Sequence, residues 1–96
     1  MVKHIVLFDF KEENREANML QAKVMLEALL ETVPTLKSME VGLNFSEEGR
    51  AMDFSLYSEF DNQEGLDAYV VHSEHLKVVE FIKSVVNGSK VSDYIV

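Results

Sequence analysis

Four side chains in this sequence are suited to moving a proton: His4, Tyr69, His72 and His75. Tyr69 and His72 stand three residues apart, so on a helix they occupy neighbouring positions of one face. His75 follows Ser73 in the first turn of a helical stretch, where the positive end of the helix dipole disfavours imidazolium. A neutral imidazole accepts a proton near neutral pH. A tyrosine hydroxyl beside it can donate to a carbonyl oxygen that gains negative charge. Tyr69 and His75 together therefore suit proton abstraction next to a carbonyl, as in aldol-type ring closure or isomerisation. The bland alternative is a core tyrosine bonded to backbone and a helix-start histidine bonded to a carbonyl or a water. His4 lies on the strand face carrying Val6 and Phe8, where it is either a satisfied core group or part of a pocket wall. His72 and His75 have a spacing compatible with shared metal ligation, but no acidic partner has a known position, so no metal is expected. Cysteine is absent, which removes thiolate chemistry and disulfides. A P-loop, a dinucleotide-binding glycine fingerprint and a Ser-His-Asp signature are not apparent.

The elements that must hold these side chains read out in order. Val2 to Phe10 is a strand with apolar residues on both faces: His4, Val6, Phe8 and Phe10 on one, Ile5 and Leu7 on the other. Glu12 to about Thr32 reads as a helix with Ala17, Leu20, Val24 and Ala28 on its apolar face and Met25 and Leu29 beside them, ended by Pro34. Leu36 to Phe45 and Met52 to Phe60 alternate as strands around the polar loop Ser46 to Arg50. Asp61 with Glu64 resembles a capping box for a helix running to about His72. Ser73 then caps a second piece, Glu74 to Val86, which stops at Asn87-Gly88, and Val91 to Val96 is the last strand. The fold class expected is α+β, a ferredoxin-like β-α-β-β-α-β arrangement with a four-stranded antiparallel sheet and helices on one face. Residues 1–96 suit a single domain.

One tension follows from that layout. Helices cover one sheet face, so Ile5, Leu7 and either Val91 or Tyr94 need another cover. Either central strands are simply apolar, or the sheet of a second copy packs there about a two-fold axis. The self-associated homodimer is the expected partner state. A formal charge of −8, from 17 acidic and 9 basic residues, argues against nucleic acid and anionic membranes as partners. No apolar run approaches the length of a membrane helix, and the first residues lack a secretory pattern, so the cytoplasm is the expected location.

Three stretches carry a family resemblance: Val2-Lys3-His4-Ile5-Val6-Leu7-Phe8 at the start, Tyr69-Val70-Val71-His72-Ser73-Glu74-His75 in the middle, and Asp93-Tyr94 near the end. With the element order and length, they resemble the Dabb (stress-responsive A/B barrel) family. The resemblance implies a dimeric α+β barrel of ferredoxin-like subunits. Its members include stress-associated proteins and a plant polyketide cyclase that works without a cofactor. Carried over, the cyclase's working pair implies catalytic roles for Tyr69 and His75 and a pocket-lining role for His4. The cyclase's pocket tyrosine falls at Leu26 and its third-strand histidine at Phe54, so Leu26, Phe54 and His72 are expected to make a more apolar ligand site. Two functions are compatible with this. One is a binding module for a small apolar or aromatic ligand; the other is a cofactor-free enzyme acting on a carbonyl compound.

Overall fold

The structure is a computed structural model covering residues 1–96. Its elements are β1 (Val2–Phe10), α1 (Arg15–Thr32), β2 (Ser38–Leu43), β3 (Phe54–Phe60), α2 (Gln63–Val70), α3 (Ser73–Val85) and β4 (Val86–Ile95). The strands form one antiparallel sheet in the order β2-β3-β1-β4, the ferredoxin-like arrangement expected.

Register decides which side chains meet. Val6 lies opposite Leu56 on one side and Val91 on the other, so the alternation of β1 continues across the sheet. Val2, Val6, Phe10, Phe54, Leu56 and Phe60 are buried beneath the helices. Ile5 and Leu7 point the other way, with Lys3, Tyr57, Glu59 and Tyr94. On that open face Lys3 and Tyr57 both donate to Glu59, and the Lys3 ammonium stands 5.5 Å from the Tyr57 ring centre. Val91 instead shares the helix-side face with Val6 and is exposed because it lies on an edge strand.

Several expected boundaries shift, each for a local reason. Asn14 adopts the left-handed conformation (φ 53°), which asparagine tolerates, so α1 begins after it and not at Glu12. The covered side of α1 is Ala22, Leu26 and Leu29, while Leu20 and Val24, expected inside, are exposed. Both stripes have helical spacing, so periodicity alone cannot choose between them. Asn44 turns onto Ser46, and the Asp53 carboxylate accepts from the Phe10 amide at 2.8 Å; these side chains break the strand pattern early, and β2 and β3 are shorter than expected. Asn62, not Asp61, caps α2: its Oδ1 accepts from the Gly65 amide at 2.8 Å. His72, not Ser73, caps α3: its Nδ1 accepts from the Glu74 amide at 3.1 Å.

The end of α3 departs most from expectation. Asn87-Gly88 is no stop, because no glycine takes a positive φ, and the chain passes from Val85 straight into β4 at Val86. Lys11 donates its amide to the Val85 carbonyl at 2.9 Å, and a register shift opposite Asp9 and Phe10 absorbs the extra residue.

Candidate functional site

A cavity of about 190 Å³ lies between the sheet and α3. Its polar lining includes His4 from β1, Tyr69 from the last turn of α2 and His75 from the first turn of α3; Leu26 closes it from α1. The short break at Val71–His72 brings Tyr69 and His75 into one wall, with ring centres 4.2 Å apart and planes 36° apart. His4 meets the other side of Tyr69 edge-on at 6.3 Å.

Tyr69 is 1% exposed, yet its hydroxyl is the one buried side-chain polar atom with no hydrogen-bond partner. Burial pushes its pKa upward, so it remains a proton-bearing donor at ordinary pH. An unmet buried hydroxyl costs about 1–3 kcal/mol, which an acceptor placed beside it would relieve.

His75 is fixed differently. Its Nδ1 stands 3.1 Å from the Val70 carbonyl oxygen, which can only accept, so Nδ1 carries the proton and Nε2 is the basic nitrogen. Burial lowers its pKa, with smaller pushes the same way from His4 and His72; the Val70 carbonyl opposes them. The helix position alone predicts a neutral His75, but desolvation is the main cause.

His4 donates from Nδ1 to the Asp93 carboxylate at 2.5 Å, a pairing set by the β1–β4 register that places the two opposite each other. Asp93 stands in the Asp93-Tyr94 stretch, yet sequence reasoning gives it no place in the site; an early histidine on one strand and a late aspartate on its antiparallel neighbour is the available signal. Phe54 does not line the cavity: it is fully buried in a ring cluster with Phe8 and Phe10, at 5.8 and 5.3 Å. His72 does not line it either, its Nδ1 being engaged at the α3 cap. With His75 Nδ1 engaged on Val70, the two histidines spend these nitrogens on backbone, and no group of three His, Asp or Glu side chains is arranged to hold a metal.

The Dabb family model, described as the stress responsive A/B barrel domain, matches residues 2–96. The chain belongs to the Dabb family. Among solved structures it is similar to a dimeric Bacteroides fragilis protein of unknown function and ferredoxin-like fold (32% identity, TM-score 0.90, covering 99% of this chain and 95% of that one). A dimeric ferredoxin-like protein from Thermobifida fusca aligns at 21% identity and TM-score 0.88, covering 99% and 90%. The hydroxynitrile lyase of Passiflora edulis aligns at 16% identity and TM-score 0.89, covering 99% and 92%. The last two likenesses speak to the fold alone. No curated protein matches the chain. No helix of this Dabb protein is long and apolar enough to cross a membrane.

Proposed function

We propose that this Dabb protein binds a small ring compound bearing a carbonyl group, in the cavity shared by Tyr69, His75 and His4. The observation that carries the reading is that Tyr69, whose buried hydroxyl has no hydrogen-bond partner, is one of the residues lining that space. A carbonyl oxygen supplies the acceptor it lacks, and Leu26, Val6 and Phe8 supply apolar contact. A cavity near 150 Å³ holds a benzene ring, so about 190 Å³ suits one ring with a short substituent.

A second reading is favoured by the state of His75. Its Nε2 is basic, its imidazole is held neutral, and it stacks on the donor. With Tyr69 polarising the carbonyl, His75 Nε2 would take a proton from the adjacent carbon, and Tyr69 would stabilise the enolate oxygen. This is cofactor-free proton transfer.

The working unit in both readings is a homodimer formed through the open sheet face. Ile5, Leu7 and Tyr57 lie on that face without a helix over them, and the Bacteroides fragilis and Thermobifida fusca relatives are dimeric. It is a single Dabb domain acting away from nucleic acid and membranes, in the cytoplasm.

Ligand-observed NMR with a panel of one-ring ketones and aldehydes tests the binding reading. Hits should lose about tenfold in affinity on Tyr69→Phe, the worth of one hydrogen bond. Equal binding by wild type and Tyr69→Phe would sink it. Deuterium uptake from D2O at the carbon beside the carbonyl tests proton transfer; it should require His75, and uptake that persists in His75→Ala rules the second reading out.

A further inference from the structure

α1 is apolar on two opposite sides. Its inner side, Ala22, Leu26 and Leu29, is buried. Its outer side carries Ala17, Leu20, Val24 and Ala28 at helical spacing, and all four are exposed, Leu20 at 56% and Val24 at 64%. α2 and α3 are amphipathic, whereas α1 has almost no bias between its sides. A helix that is apolar all round is ordinarily covered all round. From Ala17 to Ala28 the stripe runs for about three turns, or about 16 Å. At Ala28 it continues into a groove of about 240 Å³ between α1 and α3, lined also by Met25, Leu29 and Val78, with Glu74 and Lys77 on its α3 side.

Charge on this surface is one-sided. Glu16, Glu27 and Glu31 are exposed along one flank of the stripe. The nearby lysines are engaged: Lys23 donates to Glu27 and to the Val41 carbonyl, and Lys77 pairs with Glu74. Glu16 and Glu31 make no ion pair.

We propose that the outer face of α1 docks a basic amphipathic helix of another protein. The apolar side of that helix covers Leu20, Val24 and Ala28, and its lysines or arginines meet Glu16 and Glu31. Charge complementarity chooses this occupant. A second copy fits poorly, because an antiparallel pair of α1 helices centred on the stripe sets Lys23 against Lys23 and Glu16 against Glu27. The same glutamates repel an anionic surface. Ala17 and Ala28, small residues at either end of the stripe, let a helix approach closely. The stripe faces away from the sheet, so it stays open in a homodimer formed through Ile5 and Leu7, and the proposal is independent of the cavity.

The probe is a synthetic four-turn peptide with leucines at helical spacing and lysines on both flanks. It is compared with the same peptide carrying glutamates for the lysines, and with a scrambled peptide of the first composition. Affinity for the full chain is read by fluorescence anisotropy, and the site by amide NMR shifts. The lysine peptide should bind with its shifts concentrated on α1, and the other two at least about tenfold more weakly. Val24→Lys should weaken the lysine peptide at least about tenfold and leave the melting temperature unchanged, since the residue is exposed. Glu16→Gln with Glu31→Gln should weaken it less and flatten its dependence on salt. Equal binding of the lysine and scrambled peptides would reduce the effect to bulk charge and overturn the proposal. Shifts centred away from α1, an affinity unaltered by Val24→Lys, or no binding of the lysine peptide overturn it as well. Sedimentation of the wild type beyond a dimer, reversed by Val24→Lys, would make the face a contact between copies and overturn it too.

Discussion

The two faces of the sheet handle polar groups in opposite ways. On the open face Lys3, Tyr57 and Glu59 satisfy one another: both donors reach Glu59, Lys3 is pushed to higher pKa chiefly by its hydrogen bond to Glu59, and Glu59 is pushed lower chiefly by its bond to Lys3. On the helix side the Tyr69 hydroxyl is buried and has no partner. A closed polar network beside Ile5 and Leu7 suits a surface that docks against protein, where unmet groups would be costly. A buried hydroxyl left without a partner beside a cavity is instead the group that the proposed ligand would satisfy.

That contrast can be broken most forcefully on the open face. Leu7→Asp would place an unpaired charge in the proposed interface, and its dimer should be weaker by at least about 100-fold, read by analytical ultracentrifugation. An unchanged dimer would move the interface elsewhere. On the other face the sign reverses. Tyr69→Phe should stabilise the ligand-free protein by about 1 kcal/mol, or about 4–8 °C in Tm, because it removes an unmet donor. A loss of stability instead would mean that the hydroxyl is already satisfied, and the two faces would no longer differ.

The α3 cap offers a comparable but purely structural effect. His72→Ala should cost about 1 kcal/mol by denaturant melt, and His72→Asn should recover most of it, since asparagine also presents an acceptor to the Glu74 amide. The smallest effect is a pH slope. His75 has its folded pKa below the usual 6.5, so the unfolded chain takes up the proton first as pH falls through about 6.5. Stability should decline from there and level off once folded His75 is protonated. His75→Gln should flatten that part of the profile, and an unaltered slope would show that another group sets it.

The sheet is legible in the sequence because β3 alternates cleanly and β1 is apolar on both sides; each observation maps onto a face. α1 is not legible in the same way. Ala17, Leu20, Val24 and Ala28 share the spacing of Ala22, Leu26 and Leu29, and only packing against the sheet and α3 selects the second set. The meeting of Tyr69 and His75 can be read from their separation around a helix break. The proton position on His75, the isolation of the Tyr69 hydroxyl and the Asp93–His4 pair cannot. Those depend on where the Val70 carbonyl points and on the β1–β4 register, which are properties of the assembled chain. The N-caps escape sequence reasoning for a related reason: Asp61 and Ser73 have the right chemistry, but the neighbours Asn62 and His72 are the ones whose side chains reach the free amides.

The direct passage of α3 into β4 gives the site a mechanical asymmetry. At that end the chain has no loop to flex, and the junction is held to the end of β1 through Val85 and Asn87. Because β4 is paired with β1 along its length, the helix carrying His75 is tied at Val85–Val86 directly to the sheet that carries His4 and Asp93. Compliance is left at the opposite end, in the two residues Val71 and His72 between α2 and α3. Amide exchange should accordingly be faster around Val71 than around Val85.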